Sequence, residues 1–432
     1  MAKLNIKPRV KNLYSWLEYI DRIHPSNIEM SLGRLNQVKT NLNFSLSFPI
    51  ITVSGTNGKG SVCAILESIL SQAGYLVGCY TSPHLLRYNE RIRIGKKEVN
   101  DDELCKAFNI IEAARVESGA SLTYFEFSTL VAMELIAKAR VDVAILEVGL
   151  GGRLDAVNIF DADCAVLTNI DYDHEEYLGN TREEIGLEKA GIFRRGRAAI
   201  CSDISPPISI RKHAISVGAE LKVIGEQFNY FDEGYSWNYC ENNYYYSLPY
   251  PSLGNTSCQL RNASASLATL NVFKDIFPVT DNDIKSGLLN IQLSGRFQII
   301  SDKPKVIFDV AHNPSAIHAL KNSLAGMVGH HKTYAVFSAL KDKDISEMVQ
   351  RVASEIDYWL VTGINSTRGL SSNEIVESLE KVGIKDILSF SDAISAYIFA
   401  CKQASLNDRI CVFGSFHVVG EIMEFLNKEE NL

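Results

Sequence analysis

The chain has 432 residues, of which 46% are hydrophobic and 22% charged, with a formal net charge of −8. That length exceeds what one ordinary core holds and predicts two domains, while an acidic balance without a basic stripe argues against nucleic acid as a partner and leaves room for a small anionic ligand. No apolar run of about 18 residues is present to cross a membrane, Met1–Val10 has basic residues but no apolar leader core, and nine scattered cysteines without a C-x-x-C pair predict reduced thiols in a cytoplasmic protein.

In chain order, Leu13, Trp16, Leu17, Ile20 and Ile23 recur at helical spacing, so residues 11–23 form an amphipathic helix packed on a core. Pro49–Ser54 is a short apolar run closed by glycines, a buried strand. Val62–Ala73 follows as a helix stopped by Gly74, and Tyr75–Tyr80 as a second strand. Strand, loop, helix, strand is the order of a parallel α/β sheet. Leu122–Phe127 reads as an extended aromatic segment ahead of a helix over 127–139, with strands next at Val143–Val148 and Ala165–Asn169. Residues 228–250 differ: aromatic and polar residues alternate around a turn-like Asn242-Asn243, which predicts antiparallel hairpins. Without interleaved basic residues that stretch is not a base-stacking surface.

A helix over 261–273, opened by Asn262, leads to Ser294–Pro304, where a turn passes into a strand at Val306–Val310. The α/β alternation then restarts with Tyr334–Ser338, Tyr358–Thr362 and Ile410–Gly414. The division falls near 297, giving a first domain over 1–297 and a smaller one over 298–432.

The strongest motif is Ser54-Gly55-Thr56-Asn57-Gly58-Lys59-Gly60-Ser61, between a strand and a helix. Glycines let backbone N–H groups turn toward phosphate oxygens, and the helix N-terminus adds a favourable dipole. Lys59 supplies a cation for the outer phosphates and Ser61 a hydroxyl within reach of Mg²⁺. The common pattern G-x-x-x-x-G-K-[ST] would place glycine where Val53 stands and a hydroxyl residue where Gly60 intervenes.

Two acidic strand ends complete the pattern. Val143–Val148 carries Glu147 ahead of Gly149-Leu150-Gly151-Gly152-Arg153-Leu154-Asp155, and the next strand ends Thr168-Asn169-Ile170-Asp171-Tyr172-Asp173-His174. Carboxylates at the C-terminal ends of parallel strands face the crevice where such sheets bind ligands, and Mg²⁺ takes hard oxygen donors such as Glu147. By residue chemistry alone Lys189 is a helix-surface lysine. Arg296, near the domain junction, suits a phosphate fork, and Asp309 ends a strand ahead of His312.

The departure of Gly55–Ser61 from the ordinary phosphate loop resembles the Mur ligase superfamily. Within it the chain resembles the bifunctional dihydrofolate synthase/folylpolyglutamate synthase family, through several motifs spread over nearly its whole length. The resemblance implies a P-loop domain of the Mur ligase central type, mostly parallel, with a pterin site, followed by a smaller Rossmann-like domain. It implies ATP-dependent ligation of L-glutamate to dihydropteroate and to the glutamate tail of reduced folates, in folate biosynthesis and one-carbon metabolism, through an acyl phosphate. Thr56, Asn57, Gly58, Lys59, Gly60, Ser61, Asn262, Arg296 and Asp309 are then expected on ATP. Ser82, Glu147 and His174 are expected to hold magnesium, with a second metal near Lys189 carboxylated by CO₂. Carboxylation needs the neutral amine and hence a lowered pKa.

Leu122, Thr123, Tyr124, Phe125, Leu154, Asp155 and Ala156 are expected on the pterin substrate, with Ile28–Leu32 as a looser match to the family's N-terminal pterin loop. Lys59, Lys189 and His312 are expected in catalysis, Gly414–His417 facing glutamate, and the enzyme as a monomer. A monofunctional folylpolyglutamate synthase is the nearest alternative. Another Mur-type ligase would need a nucleotide-sugar domain, for which the 53 residues before Ser54 are too few, and a non-catalytic P-loop switch would not need Ser82, Glu147 and His174 together.

Overall fold

The computed structural model describes residues 12–26, 28–241, 244–254, 256–327 and 329–429. Met1–Val10 and the Asn242-Asn243 turn lie outside the described residues. The first half is built on an eight-stranded sheet in the spatial order Lys97–Glu98, Ile92–Ile94, Val77–Tyr80, Val143–Glu147, Ile50–Ser54, Cys164–Leu167, Ala198–Cys201, Glu220–Val223. The last six strands pair parallel, and Ile92–Ile94 pairs antiparallel with both of its neighbours.

The central strands Val77–Tyr80, Val143–Glu147, Ile50–Ser54, Cys164–Leu167 and Ala198–Cys201 are buried at every position, because helices cover both faces. The helix Lys59–Gln72 is enclosed: Ser61 to Leu70 are all buried, and a Cβ on Gly287 of a neighbouring helix would stand 2.5 Å from Ile69 Cγ1. Register places Glu147 beside Val53, Leu167 beside Ser54, and Tyr80 beside Leu146. The phosphate-loop strand therefore ends between the two acidic strand ends.

Residues 228–248 form a separate antiparallel sheet of Phe228–Asp232, Trp237–Glu241 and Tyr244–Leu248. The second half has a six-stranded sheet in the order Gln298–Asp302, Lys305–Phe308, Arg409–Phe413, Thr333–Phe337, Tyr358–Thr362, Ile387–Phe390. Only Gln298–Asp302 is antiparallel. The C-terminal ends of both sheets open onto one cleft.

Three sequence expectations are corrected. The segment 122–127 is not extended: a helix starts at Tyr124, because Thr123 and Glu126 form a reciprocal capping box. Asn262 does not open its helix but sits in its second turn, since Thr256 caps Ser257–Val272. Lys189 is not on a helix surface; it is 5% exposed.

Candidate active site

The phosphate loop owes its course to glycines that nothing larger could replace. Gly58, the N-cap of Lys59–Gln72, has φ 86°, and a Cβ there would stand 2.6 Å from Asn262 Oδ1. At Gly55 a Cβ would meet Thr168 Oγ1 at 1.8 Å. Neighbouring strand ends fix the loop further: Thr56 N–H donates to Asn169 O (2.8 Å), Asn57 N–H to Asn169 Oδ1 (2.8 Å), and Thr56 Oγ1 to Asp171 O (3.0 Å).

Two lysines meet on one carbonyl. Lys59 Nζ donates to Gly55 O at 3.0 Å and to Thr56 O at 3.2 Å, and Lys189 Nζ donates to the same Gly55 O at 3.0 Å. Lys189 reaches it because glycines let the loop after Glu147 press on its helix; a Cβ on Gly152 would stand 2.6 Å from Lys189 O. Burial first, and then the charge of Lys59, push the Lys189 amine down to about 7. Near neutral pH it is thus a partly neutral, nucleophilic amine.

Glu147 is 5% exposed and accepts one hydrogen bond through Oε2, from Ser82 N–H at 3.0 Å. A Cβ on Gly60 would lie 3.8 Å from each of its oxygens, so the carboxylate faces the phosphate loop. Burial raises its pKa, opposed by Lys59, the Ser82 N–H and Arg296. Among the described residues no group of three or more His, Cys, Asp and Glu is placed to hold a metal unaided. One underused carboxylate in a cleft that Ser61 and Ser82 also line fits Mg²⁺ well, since that ion takes few protein carboxylates and completes its shell with phosphate and water.

His174, in a left-handed conformation at φ 54°, lies in the same cleft. Burial pushes its pKa down to about 4 although Asp173 pulls it up, so the ring is neutral and able to ligate. Asp171 keeps its side chain on Tyr172 N–H and does not line the cleft.

The second half supplies the facing wall. Asp309 accepts from Phe297 N–H (2.8 Å) and Ala311 N–H (2.7 Å), and burial raises its pKa. Arg296 lies over the Phe416 ring at 5.3 Å, with no carboxylate in ion-pair range among the described residues. His312 Nδ1 meets Val310 O at 2.9 Å; a carbonyl only accepts, so Nδ1 carries the proton and Nε2 is a bare acceptor. Burial and the nearby Lys343 push its pKa down to about 4. Gly414–His417 line the cleft beside it.

Sequence reasoning missed the contacts joining the halves. Lys343 Nζ donates to Asp173 Oδ1 at 2.7 Å, and Asn313 Nδ2 donates to Asp173 Oδ2 and Asn57 Oδ1, each at 3.0 Å. Burial of Asp173 acts to raise its pKa, but His174 and Lys343 outweigh it and hold the carboxyl well below the usual range. No local motif marks Asn313 or Lys343.

On the aromatic wall of the first half Thr123, Tyr124, Phe125, Leu154, Asp155 and Ala156 line the cleft, whereas Leu122 is fully buried in the core away from it. Phe125 stacks on Tyr80 at 5.9 Å, and only a glycine fits at 149, where a Cβ would be 2.6 Å from the Phe125 ring. Asp155 accepts from Leu150 N–H (2.8 Å) and Val157 N–H (3.0 Å), and burial raises its pKa to about 7. Ile28, Glu29 and Met30 also reach the cleft. They are held by Arg34, which pairs with Glu29 and, at 2.7 Å, with Glu126.

The Mur ligase middle domain matches residues 53–270, and the Mur ligase glutamate ligase domain matches residues 295–416. The Escherichia coli dihydrofolate synthase/folylpolyglutamate synthase is 40% identical over 417 residues, covering 96% of each chain. This chain belongs to the dihydrofolate synthase/folylpolyglutamate synthase family. The E. coli member in complex with DHPP and ADP has the same fold, with TM-score 0.92, 39% identity and coverage of 97% of this chain and 99% of that one. A Yersinia pestis member complexed with AMPPNP and Mn gives 0.90 at 40% identity, covering 96% and 98%. The family fold, a mostly parallel P-loop domain followed by a smaller mixed-sheet α/β domain, is the one described above.

Proposed function

We infer that this chain is an ATP-dependent amide-forming ligase that joins L-glutamate to dihydropteroate, giving dihydrofolate, and extends the glutamate tail of reduced folates. The observation that carries this reading is the full-length likeness to bifunctional relatives, 40% identical over 96% of both chains. The cleft suits the chemistry. A carboxylate is a poor electrophile, so its oxygen attacks the γ-phosphorus of ATP, giving an acyl phosphate and ADP. The neutral amine of glutamate then attacks the acyl carbon and phosphate departs.

In this reading the Gly55–Ser61 backbone and Lys59 hold the phosphates, with Asn262, Arg296 and Asp309 on the rest of the nucleotide. Ser61, Ser82, Glu147 and His174 would hold magnesium, which when bound neutralises charge on the transferred phosphoryl group. His312 Nε2 accepts a hydrogen bond from the neutral amine of the incoming glutamate and orients its lone pair for attack. Thr123–Phe125 and Leu154–Ala156 hold the pterin substrate, with residues 28–30 closing over it. Leu122 supports that wall from within the core. Facing walls from both halves exclude water, which would otherwise hydrolyse the acyl phosphate.

We further propose that Lys189 is carboxylated by CO₂, its lowered pKa leaving the amine free to attack the carbon with loss of one proton. The carbamate oxygens then serve a second metal. The nine cysteines are all free, consistent with a reducing cytoplasm. Among the described residues no helix is long and apolar enough to cross a membrane.

The test is glutamate-dependent ADP release with dihydropteroate and, separately, with tetrahydrofolate. Release with both is expected. Release with tetrahydrofolate alone reduces the enzyme to a folylpolyglutamate synthase, and release with neither overturns the reading.

A further inference from the structure

Two arginines two residues apart, Arg91 and Arg93, are treated in opposite ways by their surroundings. Arg93 is fully committed. Its Nε and Nη2 grip Glu67 at 2.8–3.1 Å, and Nη1 donates to Thr81 Oγ1 at 3.1 Å and to Glu90 O at 2.8 Å. Arg91 is as hidden, at 8% exposed, but only its Nε is used, donating to His84 Nδ1 at 2.8 Å. Its two terminal nitrogens have no acceptor, and no carboxylate comes within ion-pair distance, among the described residues.

The guanidinium is nevertheless held firmly. It lies over the rings of Tyr88 (5.6 Å) and Tyr124 (5.5 Å). Because His84 Nδ1 accepts, that ring is a neutral imidazole and not a second cation. Arg91, His84 and Tyr124 all line the cleft. The segment carrying His84 also touches the second half: a Cβ on Gly420 would stand 2.5 Å from Leu85 O. The open fork of Arg91 therefore lies between the aromatic wall of the first half and the lip of the second.

A guanidinium whose stem is buried and whose Nε is held, while its planar fork opens onto the cleft, is preorganised for a planar anionic partner. We propose that Arg91, braced by His84, Tyr88 and Tyr124, binds a free carboxylate of a glutamyl group. That carboxylate belongs to the incoming glutamate or to the tail of the folate being extended. This rests on the ligase reading above. The carboxylate consumed in the reaction is a poorer match: a guanidinium locked on it stabilises the starting carboxylate and blunts its attack on phosphorus. A spectator carboxylate keeps its charge from binding through transition state to product, and the pair then contributes to binding throughout.

The experiment compares wild type with Arg91→Gln and Arg91→Lys. KM is measured for glutamate, for dihydropteroate and for tetrahydrofolate, alongside equilibrium titrations of each with a non-hydrolysable ATP analogue, which need no turnover. Failure of wild type to release ADP strikes the ligase reading; the titrations still decide the role of Arg91.

If the incoming amino acid is the ligand, Arg91→Gln raises KM and Kd for glutamate at least about tenfold with either acceptor. If the folate tail is the ligand, the same rise occurs for tetrahydrofolate while dihydropteroate, which has no glutamyl group, stays within twofold. Arg91→Lys keeps the charge but loses the fork, and gives a smaller shift in the same constant. It also serves if Arg91→Gln does not fold. The proposal is overturned if all three constants stay within twofold. It is equally overturned if dihydropteroate and tetrahydrofolate weaken together with glutamate unchanged, which would place the reacting carboxylate on Arg91.

Discussion

The two ends of the second sheet each hold an arginine, fully buried at one end and half-buried at the other, and they differ in what each arginine touches. At the N-terminal end Arg409, 0% exposed, is closed on all sides. Its Nε donates to Thr333 Oγ1 (2.7 Å), Nη1 to Leu324 O (2.6 Å), and Nη2 to Glu355 O (3.2 Å) and Oε2 (3.4 Å). At the C-terminal end Arg296 has a ring beneath it and, among the described residues, no paired carboxylate.

The first sheet repeats the division. At its far end Asp142 and Asp163 are spent on Leu76 N–H and Ile50 N–H, at 2.7 and 2.9 Å. Toward the cleft, Glu147 and Arg91 keep capacity in hand. A charge whose partners are complete is architecture, and a charge left open toward the cleft marks where a ligand belongs.

Substitution tests this directly, since the open end should cost turnover and the closed end stability. Lys59→Ala is the extreme case on the open side. Steady-state ADP release should fall by about 10²–10³-fold in kcat, as for loss of a pre-organised charge at the transferred group, with the denaturant midpoint little changed. Glu147→Gln comes next: a magnesium titration should show the concentration for half-maximal rate rising at least ~10-fold.

Lys189 sharpens the comparison through pH. With its amine lowered to about 7, the neutral fraction falls about tenfold between pH 8 and pH 6. Carbamate formation, read by ¹³C NMR at a fixed concentration of dissolved labelled CO₂, should fall at least as steeply, because the step also releases a proton. The sign for stability is opposite to that of an ion pair. The unfolded lysine binds a proton near its ordinary pKa and the folded one does not, so burial costs stability below about pH 10.5, and fully below about 7. Lys189→Met should therefore raise Tm at pH 6 while abolishing turnover. The smallest kinetic effect belongs to the closed end. Arg409→Met should leave kcat within about twofold while costing about 3–5 kcal/mol in denaturant unfolding. A kinetic loss there, with stability intact, would break the distinction.

What could be read in advance follows the same line. The phosphate loop was legible because its glycines answer a local demand, as the φ of 86° at Gly58 shows. Glu147 was legible because an apolar run ending in an acid betrays a strand end. The start of the helix at Tyr124 was legible in principle, through Thr123-x-x-Glu126, but its aromatic residues suggested an extended segment. The burial of Lys189 was not legible, since its partner carbonyl lies 134 residues away. Nor was the grip of Lys343 on Asp173, across 170 residues. Such contacts depend on two sheets facing each other, and no window of sequence records that.

Asn313 has a consequence of its own. Its Oδ1 caps the helix Pro314–Ala325 by accepting from Ala316 N–H at 2.9 Å, and also takes the Asn57 amide at 3.2 Å. Its Nδ2 returns a bond to Asn57 and adds one to Asp173. The pair of amides acts as a clutch plate: disengaging the two halves leaves the cap intact but strips the Asn57 side-chain amide and Asp173 Oδ2 of their partner at the same moment. Whatever reorients Asn57 within the loop changes the torque that holds the halves in register. An aspartate at 313 would keep the cap and slip the clutch, because it has no N–H to offer either neighbour.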